Sequence, residues 1–356
     1  ITIAGGSIEV ERQISAEKKI TITGGSVRAG GCITAPEIEI SGGEVSANGE
    51  WGSYRRVDDY GTERYAINNA DDHLPAIGRQ NGCVKISGGT VRTNVDDVDF
   101  DYNTAFVLNG RNNGALTYDW KRRGCAGIGG DGTSVIITGG KIYAEGGGLT
   151  ISDAQYQMSG AGIGGGYQQR CGFIRITGGD VHAAGGKYAC GIGPGTQGTY
   201  MEGVEISGGK VWAEGGRECP GIWCGRPGVI AISGGTVSAV ATYAAGVMDV
   251  VGITPYHGQN SNDAKPKVTG CSLDARSLNG VVDANGALCH RVTVNGGSDI
   301  KADIQGLPYT YKDVSFDSDG RIYLWLPDGE YDFVVNGDRF TATVVGENVD
   351  AMYTGT

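Results

Sequence analysis

The chain has 356 residues, 65 of them glycine and 9 proline, with 39% hydrophobic residues and a net charge of −11. Glycine far exceeds its usual share of roughly 7%, yet without a three-residue period, which excludes collagen, while the Ile and Val content argues against disorder. An acidic chain is a poor match for a phosphate backbone, so no nucleic-acid partner is expected, and the absence of an apolar run of about 18 residues argues against membrane insertion.

In chain order, the opening ITIAGGSIEV already lies inside a repeat, so the chain is expected to be a mature or trimmed fragment. A block I-x-I-[ST]-G-G-x-V-x-A then recurs: ITITGGSVRA from Ile20, IEISGGEVSA from Ile38, VKISGGTVRT from Val84, VIITGGKIYA from Val135, IRITGGDVHA from Ile174, VEISGGKVWA from Val204 and IAISGGTVSA from Ile230. Apolar and polar residues alternate on both sides of Gly-Gly, which reads as strand, tight corner, strand. A shorter block, [AP]-x-I-G, separates the copies from Ala76 onward. Short strands at Gly corners, repeated without helical periodicity, predict an all-β parallel β-helix in which each repeat is one coil and like positions stack in columns about 4.8 Å apart.

Those columns can be written out. The x of GGxV reads Ser26, Glu44, Thr90, Lys141, Asp180, Lys210, Thr236; the Lys–Asp–Lys run is expected to be a charge ladder on a solvated strand. Two residues on, the outward column reads Arg28, Ser46, Arg92, Tyr143, His182, Trp212, Ser238. Tyr143, His182 and Trp212 form an aromatic ladder, either a platform for sugar faces or ordinary cross-strand packing. Aligning Ile77 with Ile128, Ile163, Ile192, Ile222 and Val247 puts His73 above Gly124 and Asp72 above Arg123.

The repeats begin 18, 46, 51, 39, 30 and 26 residues apart, the extra length falling after xVxA and before GIG. Insertions therefore stack on one edge and are expected to wall a groove. The largest, 45–75 and 93–125, concentrate acids and aromatics, the pairing that glycoside chemistry uses: one carboxylic acid protonates the leaving oxygen and a carboxylate activates water or attacks. Asp71, Asp72, Asp97, Asp99 and Asp119 are the catalytic candidates. Trp51, Tyr54, His73, Arg79, Tyr102, Trp120, Arg123 and the Tyr143–His182–Trp212 ladder are the substrate-binding candidates. DDVDFDYN (96–103) offers oxygen ligands for Ca2+ at Asp97, Asp99 and Asp101 but lacks the glycine and terminal Glu of an EF-hand loop; a solvated acidic loop is the competing reading. No other cofactor is expected. The nine cysteines show no metal-type spacing, though Cys219 with Cys224, or Cys271 with Cys289, could close small loops.

The repeats are assigned to 1–250. After about Val250 the pattern fades: 251–265 reads as a linker or irregular last coil, and 266–356, with YLWLPDGEYDFVVNG, as a small antiparallel β module capping the end or carrying an attached domain.

With ISGGTV and AGIGGG repeated in this way, the chain resembles the Gly-rich right-handed parallel β-helix proteins secreted or surface-displayed by Gram-positive anaerobes; the YLWLPDGEYDFVVNG tail is similar to the module that often follows such repeats. The resemblance implies an extracellular location and a carbohydrate partner, because β-helices of this superfamily include lyases, hydrolases and non-catalytic glycan binders. No catalytic motif carries over residue by residue. The leading expectation is a glycoside hydrolase using paired carboxylates in the insertion-walled groove; the alternative is a carbohydrate-binding or adhesion protein without catalysis. A lyase fits less well, since its groove is expected to be positive.

Overall fold

A computed structural model describes residues 1–49, 53–57, 63–67, 74–95, 98–100, 124–151, 157–217, 219–242, 253–255, 265–275, 280–296, 304–311 and 314–351. It is a parallel β-helix followed by a small β module, with no helix among the described residues.

Two sides of each coil are the strands flanking Gly-Gly. Within Lys19–Ile22 and Ser26–Ala29 every second residue, Ile20, Ile22, Val27 and Ala29, is buried. Burying one such isoleucine stabilises by about 1.5–3 kcal/mol, and it requires coils above and below to close the core. The columns read from the sequence are the observed register: Ser26, Glu44, Thr90, Lys141, Asp180, Lys210 and Thr236 pair successively, as do Arg28, Ser46, Arg92, Tyr143, His182, Trp212 and Ser238. At the corner the second glycine turns with positive φ. Gly43 is representative (φ 84°): a Cβ there would meet the Gly25 carbonyl oxygen at 2.6 Å.

The third side is a single eight-stranded parallel sheet. Ile77, Ile128, Ile163, Ile192 and Ile222 stack as aligned. Two features differ from the sequence reading. This sheet begins earlier than Ala76, with Ile14–Ser15 and Ile33–Thr34, where no glycine follows the isoleucine to mark it. At the other end Ile222 pairs with Ile253, not Val247.

Lys267–Val268 and Ser272–Ala275, assigned from sequence to the C-terminal module, pair in parallel with Ile230–Thr242 and form a last coil. Beyond them Cys289–Asn295 pairs antiparallel with Arg321–Pro327. Gly329–Val335 pairs antiparallel with Asp338–Val344 across the NGD turn, as predicted, whereas PDG joins Arg321–Pro327 to Gly329–Val335 without pairing them, the two strands lying in different sheets. The module has its own core around Phe333 and Phe340, but Trp325 belongs to the core of the helix and donates its indole N–H to the Leu273 carbonyl (2.9 Å). The module thus caps the end of the helix.

No disulfide joins Cys219 to Cys224 or Cys271 to Cys289. Cys171, Cys190, Cys224, Cys271 and Cys289 are buried, and loss of solvation raises each thiol, Cys224 and Cys289 to about 12. Thiols held neutral in this way serve as small apolar packing groups.

Candidate functional site

The aromatic column is the one group of binding candidates that the described residues bring together. Tyr143, His182 and Trp212 project outward from three adjacent coils, held in register by the ladders Lys141–Glu145, Asp180–Ala184 and Tyr200–Arg217. Tyr143 and His182 stack, their ring centroids 5.2 Å apart and planes 22° from parallel. His182 and Trp212 meet at 5.5 Å and 76°, edge to face. The ladder extends one coil further than its aromatic members: the Arg92 guanidinium lies over Tyr143, 4.1 Å from the ring centroid. Arg92 stands in the aligned column directly before Tyr143, so the signal for it was present in the sequence.

Neighbouring coils thus present their rings to one another along the helix axis. One side of Tyr143 is taken by Arg92 and the other by His182, which leaves Tyr143 no unstacked face, and a sugar needs a ring face to stack on. Trp212 is different. It is turned out of the stack, its residue is 39% exposed, and the next member of its column is the small Ser238. Lys210 and Glu214 flank it along its own strand, and Thr236 and Val240 lie in the coil beyond, opposite Lys210 and Glu214.

The expected Lys141–Asp180–Lys210 ladder is present in register, but the ion contact of Asp180 is with its own strand. Asp180 Oδ1, shielded from solvent, lies 3.3 Å from His182 Nε2. The approach is not aligned for a hydrogen bond, so it becomes an ion pair only when the imidazole is protonated. The contact follows from strand geometry, since residues i and i+2 share a face, and i, i+2 spacing is the signal that could have found it.

The other candidates are distributed as follows. Arg79 is exposed and follows Ile77–Gly78 on the short return corner, where its carbonyl accepts a hydrogen bond from the Thr133 hydroxyl. That corner holds a polar cluster that sequence reasoning missed: Asp131 accepts bonds from the Arg170 backbone and side chain (2.9 and 3.2 Å) and from Gln80 (3.0 Å). Burial alone would raise the Asp131 carboxyl, but the Arg170 bonds and charge outweigh it and hold it below the usual carboxylate range. Tyr54 lies on Ser53–Val57, antiparallel to Glu63–Ile67, and Asp99 on Val98–Phe100, parallel to Gly148–Ile151. Trp51, Asp71, Asp72, His73, Asp97, Asp101, Tyr102, Asp119, Trp120 and Arg123 lie outside the described residues, and with them most of the proposed Ca2+ ligands and every carboxylate candidate except Asp99.

A family model described as a beta helix repeat matches residues 135–167, 174–196 and 204–222, the coils that carry Tyr143, His182 and Trp212. No curated protein and no solved structure matches the chain.

Proposed function

We propose that this chain is a carbohydrate-binding β-helix acting outside the cell, with Trp212 at the centre of its sugar contact. The observation that carries this reading is the exposed Trp212 ring on an outward sheet face, bordered by the polar side chains of Lys210, Glu214 and Ser238. An apolar face ringed by polar groups is the arrangement a pyranose needs, since a sugar presents C–H groups on its face and hydroxyls at its rim. The column behind Trp212 supports this role by fixing the sheet it stands on.

Hydrolysis is a second reading, favoured by where the long insertions leave the helix. They follow Glu44–Ala47 and Thr90–Thr93, whose Ser46 and Arg92 belong to the same column as Tyr143 and Trp212. Carboxylates of these insertions, Asp71, Asp72, Asp97, Asp99 and Asp119, would then act on a glycan held beside the column, two of them about 5–9 Å apart across the bond.

A glycan panel read for both binding and released sugar tests the two readings. Trp212→Ala is expected to weaken binding at least tenfold, the equivalent of about 1.4 kcal/mol. Sugar release by the wild type that Asp72→Asn abolishes establishes hydrolysis; binding without release from any glycan establishes the non-catalytic function. Full binding by Trp212→Ala would remove the tryptophan from the site.

A further inference from the structure

The way the rings are oriented bears on what kind of glycan determinant the surface can take; this inference rests on the carbohydrate-binding reading above. An extended polysaccharide lying along the helix axis would gain affinity from each coil only if each coil offered it an aromatic face. Among the described residues the column does not. Arg92 (4.1 Å) and His182 (5.2 Å) occupy the two sides of Tyr143, while His182 is packed between Tyr143 and Trp212 and engaged by Asp180 at 3.3 Å. Stacking a sugar on Tyr143 would first require displacing a guanidinium or an imidazole, giving up contacts worth about as much as those gained.

Beyond Trp212 the column continues with Ser238 and Asp274, neither of which has an aromatic face. Before Tyr143 it reads Glu9, Arg28, Ser46 and Arg92. Among the described residues the nine members of this column therefore present a single unstacked aromatic face, although three of them are rings.

We propose that the surface is a one-ring subsite: it recognises a single hexose of a glycan on Trp212, with Lys210, Glu214 and Ser238 reading its hydroxyls, and does not track the polymer along the axis. The hexose must keep one face clear of bulky axial substituents to lie on the indole. Affinity is then set by the identity of that one sugar and is nearly independent of chain length.

The test uses the full chain and the oligosaccharide series, from one to six sugars, of whichever polymer the panel identifies, with Kd measured by calorimetry for wild type, Trp212→Ala and Tyr143→Ala. The expected result is a Kd that changes by less than about threefold beyond the second sugar, a loss of at least tenfold in Trp212→Ala, and a change of less than threefold in Tyr143→Ala. Circular dichroism melts show that the variants are folded, and Tyr143→Phe, which keeps the ring, separates the stack from the hydroxyl. Affinity that climbs with each added sugar, together with loss on Tyr143→Ala but not Tyr143→Phe, overturns the one-ring subsite while leaving carbohydrate binding intact. No binding to any glycan by the wild type overturns both.

Discussion

Asp283 shows how one side chain ties the cap to the end of the helix. It is buried, and its carboxylate accepts hydrogen bonds from the backbone N–H of Asn285 and Ala287 (both 2.8 Å) and from the Tyr309 hydroxyl (2.7 Å). The Tyr309 bond, then the backbone bonds, outweigh burial and hold the carboxyl below the usual carboxylate range. A depressed folded value means stabilisation that is fully present above the unfolded value of about 4 and is lost as the pH falls through the folded one. Asp283→Ala is therefore expected to cost about 1–3 kcal/mol at pH 7 in urea denaturation, with a smaller difference from wild type at pH 3. Equal differences at both pH values would show that the charge contributes nothing. At this scale the site was only partly legible. The column containing Trp212 followed from counting residues, but which ring turns outward depends on side-chain angles that neighbours in adjacent coils fix.

The element scale is where glycine has its effect. On the third side, Gly164 has φ 141°, and a Cβ on it would collide with the Gly193 carbonyl of the next coil. Gly164→Ala must push the Ile192–Gly193 strand away, at a cost near the top of the about 1–3 kcal/mol of overpacking. Gly5→Ala is the control, because a Cβ there has nothing within 4 Å. Thermal melts are expected to show Tm lowered by several degrees for the first and nearly unchanged for the second; equal melts would mean that the coils can separate without penalty. The same glycines explain why the repeat was easy to read from Ala76 onward. Where Ile14–Ser15 and Ile33–Thr34 replace the Ile-Gly pair, a lone isoleucine does not announce a two-residue strand. The insertions were legible as lengths and compositions, and their bases as strand ends, because only interruptions between stacking columns are tolerated.

For the whole molecule, the question is how a stack of coils ends. Each coil buries its inner face only against its neighbours, so the last one needs a lid. Trp325, 3% exposed, supplies it from the middle of Arg321–Pro327, and the Tyr323 N–H donates to the Ser272 hydroxyl (3.0 Å) across the same contact. Trp325→Ala removes a buried indole and its hydrogen bond at an expected cost of about 3–5 kcal/mol. Because solenoid coils are coupled mainly to their neighbours, that loss is expected to split thermal unfolding, with 265–351 losing hydrogen-exchange protection before 130–215. A single cooperative transition with uniform loss of protection would show that the cap and the middle coils unfold as one.

By itself the sequence determined the coil, its Gly-Gly corners and the register of the columns that flank them; the ends of the third-side column, Ile14 and Ile33 at one end and Ile253 at the other, it did not. A slip of one residue would turn every isoleucine outward, and a slip of two, which would keep them inside, is excluded by the Gly-Gly corner that recurs in each repeat. It also determined which residues share the Trp212 column. The tertiary structure decided what that column offers to a ligand. Arg92 and His182 enclose Tyr143, whereas Ser238, too small to stack, leaves Trp212 a face toward solvent. The last coil and its lid were likewise decided in three dimensions: Lys267–Val268 and Ser272–Ala275 carry no Gly-Gly signature, and they are held in the helix by burial beneath Trp325, a residue some fifty positions further along the chain.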